Sequence, residues 1–336
     1  MMMHKRTERA TSRHPDAKVA VVIPCYPLRR HILEVLANIP ISCQAIYVID
    51  DACPDHTGDF VESSISDPRV HVIRHAQNMG VGGATLTGME RAFGDGAAIV
   101  VKLDGDGQMD PTLLARFATP LLRGEADYAK GNRFFALEDL AGMPRVRLWG
   151  NAALSFISKL SSGYWSIFDP TNGYIAIHRT TFQCLPIGRV DKRFFFESDM
   201  LFHLNLLRAV VIDIPIRAIY GDEVSNLSIA SNVGRFVHKH IRNCASRLFY
   251  TYVLRDFSIA SIYLILSPPL LLFGFIFGLE RWLHLAYKGV EATAGTVMLA
   301  SLPIILGAQM MLAFVSLDIG NVPRHPLQSL LSDDDP

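Results

Sequence analysis

The 336-residue sequence predicts an α/β fold: a Rossmann-like, mostly parallel sheet flanked by helices, then an amphipathic interfacial helix and a C-terminal two-helix transmembrane hairpin. Three observations predict it. Short apolar runs alternate with helix-like stretches in the first half, acidic and glycine residues gather where those runs end, and the last third turns apolar. Residues 19–24 (VAVVIP) read as a buried parallel strand. Residues 45–49, 70–74 and 97–103 read as further strands, with helices at 28–36, 57–64 and 83–93 between them. Strand, helix, strand at this spacing implies right-handed βαβ units. Ala84, Gly88 and Ala92 form a smooth stripe that lets their helix lie close on a sheet. Asp110-Pro111 marks another helix start, an N-cap followed by proline. Beyond that the pattern is mixed, and supports strands only at 128–131 and near 174–177, with a helix at 201–208.

Lys and Arg number 32, as do Asp and Glu, so the formal net charge is zero. No global field then favours nucleic acid. Cys25, Cys43, Cys53, Cys184 and Cys244 are far apart with no C-x-x-C spacing, which fits a reducing compartment without disulfides or zinc. Residues 1–18 read as a disordered leader, polar and basic without the apolar core of a secretory signal. Residues 257–279 and 292–317 are charge-free and long enough to span a bilayer. The loop between them carries Glu280, Arg281, Trp282, Tyr287, Lys288 and Glu291, with the aromatics as interfacial anchors. Pro268, Pro269 and Pro303 should kink the spans. Residues 233–256 mix Arg235, Lys239, Arg242, Arg247 and Arg255 with Phe236, Val237, Ile241, Leu248, Phe249 and Tyr252. That composition suits a helix on an anionic leaflet, the alternative being a solvated surface helix. The denser basic residues before the first span place the catalytic domain and both termini in the cytosol. The expected division is a leader (1–18), a catalytic domain (19–232), a juxtamembrane helix (233–256), a hairpin (257–317) and a cytosolic tail (318–336).

The strongest chemical signal is the run from Lys102 to Gln108 (KLDGDGQ) at the end of a strand. Two carboxylates, Asp104 and Asp106, then sit where open α/β sheets bind ligands. Hard oxygen ligands at this spacing suit Mg2+ or Mn2+ shared with a diphosphate, the ion acting as a Lewis acid on the leaving group. Taken alone, the pattern also fits a plain acidic turn. Asp50 and Asp51 end another strand, followed by Asp55 and Thr57, and can accept hydrogen bonds from a base or ribose. Asn78, Gly80, Gly82 and Gly83 precede a helix, where glycine permits close backbone approach to a phosphate. The first βα turn, residues 25–30, has no glycine, which speaks against a nicotinamide enzyme.

In order, V-V-I-P-x-Y at 21–26, D-D-x-x-x-D-x-T at 50–57, N-x-G-x-G-x-A at 78–84, D-x-D-G-Q-x-D-P at 104–111 and Gly131-Asn132-Arg133 resemble the inverting family 2 glycosyltransferases of the GT-A fold. The likeness covers nearly the whole chain. Asp169 to Tyr174 (DPTNGY) and the hairpin bring it nearest the polyprenyl-phosphate hexose synthases, the dolichol-phosphate mannose synthase type. The resemblance implies a nucleotide-sugar donor, UDP- or GDP-hexose, held by Pro24, Tyr26, Asp50, Asp51, Asn78, Gly80, Gly82, Asp104, Asp106 and Gln108. It implies a divalent metal on Asp104 and Asp106, and a polyprenyl phosphate acceptor whose phosphate meets Arg133. Pro27 and Leu28 stand where the family has asparagine and glutamate, which leaves the choice of base open. The acidic stretch 221–226 replaces a basic G-x-S-K, so Arg133, Arg145 or Arg147 would hold the acceptor phosphate.

Glu197 and Asp199 stand where sugar-acceptor relatives keep a general base. A phosphate monoester, with a second pKa of about 6, is already mostly dianionic and needs no strong base. Glu197, Asp199 and likewise Asp169 are therefore read as catalytic or as positioning groups. Absence of Q-x-x-R-W, and only two spans, speak against polymer extrusion. Transfer to a glycan or glycolipid hydroxyl and a silent membrane scaffold are the alternatives. Clustered carboxylates disfavour the scaffold, since like charges so placed are unfavourable without a ligand. A homo-oligomer is left open.

Overall fold

Seven strands form one sheet in the order β3-β2-β1-β4-β6-β5-β7. They are β1 (Val19–Cys25), β2 (Ala45–Asp50), β3 (Val70–Arg74), β4 (Ile99–Lys102), β5 (Tyr128–Asn132), β6 (Ile175–His178) and β7 (Val211–Pro215). The structure is a computed structural model and describes residues 17–26, 31–135, 145–217 and 229–331. All neighbouring strands run parallel except β6, which is antiparallel to both β4 and β5. The predicted mixed, mostly parallel sheet is thus observed. The chain divides into two units, residues 1–244 with 323–336, and residues 245–322.

In the first unit, β1 lies between β2 and β4, which accounts for its unbroken apolar run. Its pairing with β4 stops at Val22↔Lys102, while pairing with β2 continues to Cys25↔Asp50. Val22 accepts from the Leu103 N–H. Pro24, two residues on and facing the same side, falls beyond the β4 ladder, so its missing N–H removes no sheet bond. Helix α1 is Ile32–Ala37, α2 is Thr57–Ser64 and α3 is Val81–Gly94. Of the helix expected at 28–36, the first residues lie outside the described ones. The stripe on α3 does what its spacing predicts. A Cβ on Gly88 would run into Val22 and lie 3.1 Å from Ile49 Cγ1, so α3 touches the sheet there.

After β4 come α4 (Leu114–Leu122), α5 (Arg145–Ser162), α6 (Arg179–Cys184), α7 (Phe196–Leu207) and α8 (Ile229–Phe249). Helix α8 overlaps the juxtamembrane helix expected at 233–256, whereas α5 was not legible. The face of α5 turned inward carries Ser155, Ser158, Ser161 and Ser162, while Trp149, Phe156 and Ile157 point outward. In α8 the buried side chains include His240, Asn243 and Arg247, and Val237 and Ile241 are exposed. Ser161 Oγ lies 2.8 Å from His240 Nδ1, joining the two polar faces. Helix α7 begins five residues earlier than the pattern suggests and stops at Arg208, a left-handed residue with φ 65°.

Part of the expected tail folds onto this first unit. Asp127, buried just before β5, accepts from the N–H of Val210 at 2.7 Å, Leu327 at 2.8 Å and Gln328 at 3.1 Å. The Gln328 amide donates to Leu121 O at 3.0 Å and Ala126 O at 2.6 Å, fixing the short helix α11 (Leu327–Leu330).

The second unit holds α9 (Ile259–Lys288) and α10 (Ala294–Gly320), the two helices long and apolar enough to cross a membrane. Only 11% of each apolar window is buried, an exposed area that water does not tolerate, and the chain is a membrane protein. Residues 280–288, expected as a loop, instead continue α9, because backbone hydrogen bonding persists past the apolar slab that hydropathy marks. The helices cross through small residues. A Cβ on Gly274 would lie 2.7 Å from Ala300 O, and one on Gly307 2.9 Å from Leu271 Cγ. At the foot of α10, Asp318 is buried and takes two bonds from Arg247, at 2.7 and 3.0 Å, and one from Tyr252 Oη at 2.6 Å.

Asp127→Ala would leave three N–H groups without their acceptor, a loss of about 3 kcal/mol. The full-length variant in detergent should melt several degrees lower and be cut by protease within residues 323–331. Unchanged melting with a protected tail would contradict the clasp.

Candidate active site

Strands β1, β2 and β4 end at one edge of the sheet, and the turns after β2 and β4 bring the acidic motifs there. The turn after β2 is strained, with Ala52 at φ 54° and His56 at φ 50°, both left-handed. Asp50 holds it. Its Oδ1 accepts from Cys53 N–H and its Oδ2 from Gly58 N–H, each at 2.7 Å. A Cβ on Gly58 would lie 2.9 Å from Asp50 Oδ2, so glycine is needed at that position. Asp51 reaches the next loop, accepting from Met79 N–H and Gly80 N–H, each at 2.8 Å, with His75 Nδ1 2.7 Å away. Asn78 donates to Asp51 O at 3.4 Å. The carboxylates expected to meet the donor are thus engaged with backbone, and hold two loops together at the edge.

The glycine run packs closely on a neighbouring segment. Gly80 has φ 87°, and a Cβ there would lie 2.5 Å from Lys192 O. A Cβ on Gly82 would lie 2.6 Å from Asp191 O, and Gly83 N–H donates to Lys192 O at 3.0 Å. These glycines admit the backbone of residues 191–193, which runs directly across the start of α3. Asp199 secures the same segment. It accepts from Asp191 N–H at 2.8 Å and from the Asn243 amide at 2.7 Å, with His203 Nε2 at 3.6 Å. Burial pushes its pKa up, but the bonds from His203, Asn243 and Asp191 outweigh that and hold it below the usual carboxylate range.

At the end of β4 the structure reveals a buried cation that the sequence reading missed. Lys102 is 1% exposed, with Nζ 2.8 Å from Asp104 Oδ1 and 3.6 Å from Glu197 Oε1. Burial would lower its pKa, but Asp104 and Glu197 more than compensate and raise it. A Cβ on Gly173 would run into Lys102 Nζ and lie 2.8 Å from Asp104 Oδ2, which is why the Asp169–Gly173 stretch ends in glycine. Lys130, on β5, flanks β6 from the other side: both lysines pair with Ile175 and so share a face. Its Nζ donates to Asn172 O. Burial, opposed in part by Glu197 and Asp169, lowers its pKa to about 8.

Asp169 is buried and grips Arg133 in a fork, Nε to Oδ2 at 2.8 Å and NH2 to Oδ1 at 3.0 Å. Arg133 is thereby aimed from the end of β5. Asn132, beside it, donates to Asp213 at 2.9 Å. Arg145 and Arg147 begin α5, and their side chains lie outside the described ones. Pro24 is buried and Tyr26 half exposed at the mouth of the β1 turn. Asp106 Oδ1 accepts from Gln108 N–H at 2.9 Å, shaping the acidic turn.

A cavity of about 510 Å³ opens beside this turn, between Gln108, Met109, Leu113, Tyr174 and Ile216, with Arg116 and Arg217 also lining it. The two arginines were not singled out from the sequence, where single basic residues carry no signal. The donor set suits a divalent ion shared with substrate. Asp104 and Asp106 offer two hard oxygens, and no cluster of three or more His, Cys, Asp or Glu exists among the described residues. Diphosphate and water would have to complete the shell, as Mg2+ and Mn2+ accept.

A parallel sheet broken by one antiparallel strand, with acidic turns at one edge, is a GT-A-like fold. Residues 20–185 match the family model for Glycosyl transferase family 2, and the chain carries a glycosyltransferase domain of that family. It is 29% identical over 221 residues to a UDP-N-acetylglucosamine–dolichyl-phosphate N-acetylglucosaminyltransferase of Methanococcus voltae, covering 62% of this chain and 88% of that one. It is also 29% identical over 207 residues to a polyprenol monophosphomannose synthase of Mycolicibacterium smegmatis, covering 60% and 77%. Among solved structures, mannosyl-3-phosphoglycerate synthase from Rubrobacter xylanophilus superposes with TM-score 0.53 at 16% identity, covering 72% and 77%. Glucosyl-3-phosphoglycerate synthase from Mycobacterium tuberculosis, crystallised with Mn2+ and UDP, gives 0.50 at 18%, covering 69% and 80%. The chain is a membrane glycosyltransferase.

Lys130 has an ordinary value of 10.5 when unfolded and about 8 when folded. Between these the native state binds fewer protons, so stability should rise with pH across that window. Melting temperatures of wild type relative to Lys130→Met should therefore climb from pH 7.5 to 10. Parallel curves would contradict the burial of a charged Lys130.

Proposed function

We propose that the enzyme transfers a hexose from a UDP- or GDP-sugar to a polyprenyl phosphate, with inversion and with a divalent metal. The observation that carries this reading is that every candidate base is already engaged. Asp169 grips Arg133, Glu197 faces Lys102, and Asp199 holds residue 191 and Asn243. A hydroxyl acceptor needs a base, whereas a phosphate arrives as an anion. The cavity supports the same acceptor, with apolar walls at Met109, Leu113 and Ile216 and guanidinium groups at Arg116 and Arg217.

Asp104 and Asp106 would hold the ion, which when bound supplies charge neutralisation for the departing nucleoside diphosphate. Asp50 and Asp51 keep the two loops of the donor side in register. Arg133, aimed by Asp169, would draw the acceptor phosphate toward the sugar. A phosphate oxygen then forms the new bond to the anomeric carbon from the face opposite the leaving diphosphate, whose bond to that carbon breaks. No proton need be removed.

The inverted helices support a lipid-side acceptor. Trp149, Phe156 and Ile157 of α5 and Val237 and Ile241 of α8 face outward, suited to a headgroup layer. Residues 323–331 fold onto the unit that holds the acidic turns, which supports both ends of the hairpin lying on one side. The basic residues of 233–256 favour the cytosol for that side.

Full-length protein in detergent, given labelled UDP- or GDP-hexose, Mn2+ or Mg2+ and undecaprenyl or dolichyl phosphate, should yield an organic-extractable labelled lipid. Asp104→Asn and Asp106→Asn should each lower turnover by about 100-fold or more. Label passing to glycan or glycolipid hydroxyls but never to the phosphate lipids would contradict the acceptor.

A further inference from the structure

We propose that Lys102 is a two-seat latch: it presets Asp104 while the site is empty, and moves to Glu197 when a divalent ion and diphosphate take up that carboxylate. The proposal rests on the reading of Asp104 and Asp106 as the ion's ligands. Three features place the latch. Lys102 Nζ sits 2.8 Å from Asp104 Oδ1, so one of the oxygens a metal needs already has a cation beside it. A second carboxylate, Glu197, waits 3.6 Å from the same Nζ. The seat is built for an ammonium, since any Cβ on Gly173 would occupy its place.

The burial pattern separates the two seats. Asp104 has a side chain 28% exposed, open to an arriving ion, whereas Glu197 is 10% exposed and Lys102 1%. An ammonium and a divalent cation on neighbouring oxygens repel strongly at low dielectric. Glu197 lets the lysine remain paired when it yields Asp104, so no buried charge is left alone. Lys130 closes the other route. It lies on the same face across β6, with its own partner at Asn172 O, so a second ammonium disfavours movement of Lys102 in that direction. Glu197 thus acts through Lys102 as a positioning residue, and Lys102 acts through Asp104.

The latch makes opposite predictions for its two ends. Lys102→Met removes the competing charge, and Mn2+ in the presence of UDP or GDP should bind about tenfold tighter. Turnover should nevertheless fall, because Asp104 is no longer preset. Glu197→Gln removes the second seat, and Mn2+ should bind about tenfold more weakly with the fold intact.

The test is Mn2+ titration of the full-length chain in detergent followed by electron paramagnetic resonance, with UDP and separately with GDP, beside thermal melting of each variant. Shifts of opposite sign for Lys102→Met and Glu197→Gln establish the latch. Shifts of the same sign, or none, in a wild type that binds Mn2+ overturn the latch and leave the glycosyltransferase reading standing. A wild type that takes up no Mn2+ with either nucleotide overturns both the latch and the metal site. Should Lys102→Met fail to fold, the nearly isosteric Glu197→Gln decides, since an unweakened Mn2+ affinity there is incompatible with a second seat.

Discussion

An ammonium group buried at the end of a parallel strand has to be matched by carboxylates, and the site is arranged around that requirement. Lys102 lies at the last pair of the β1–β4 ladder, where water is excluded and the sheet edge begins. Asp104 two residues on, Glu197 from α7 and the bare Cα of Gly173 meet it from three separate parts of the chain. Opposite charge and steric room, more than apolar contact, fix how these segments approach. The acidic turn, which in isolation would repel itself, is thereby held in one shape before any ligand arrives.

A second constraint is closeness of backbone. Gly80, Gly82 and Gly83 let residues 191–193 cross the start of α3, and Asp51 and Asp199 pin the two sides of that crossing. The same carboxylate chemistry that could serve a ligand here serves the scaffold. The two loops are tied to each other and to residues 191–193, which limits how far they can relax.

The sheet's first half was legible because β1, β2 and β4 are buried on both faces and read as unbroken apolar runs. The helix α3 was legible through its small-residue stripe, and Gly88 meets Val22 as that stripe implies. Helix α5 was not, since it turns Ser155, Ser158, Ser161 and Ser162 inward and Trp149, Phe156 and Ile157 outward. Lys102 and Lys130 were passed over because a lysine ending an apolar strand ordinarily marks its exposed end. Only the return of Asn172 and Gly173 over both explains why these two are buried. Likewise the clasp on Asp127 joins residues about 200 positions apart, beyond the reach of local pattern.

The most direct test is crystallography of the full-length protein with Mn2+ and UDP or GDP, using the anomalous signal of manganese. A single peak between Asp104 and Asp106, with Lys102 turned to Glu197, is the predicted result. A peak away from both carboxylates, or none with nucleotide clearly bound, would contradict it.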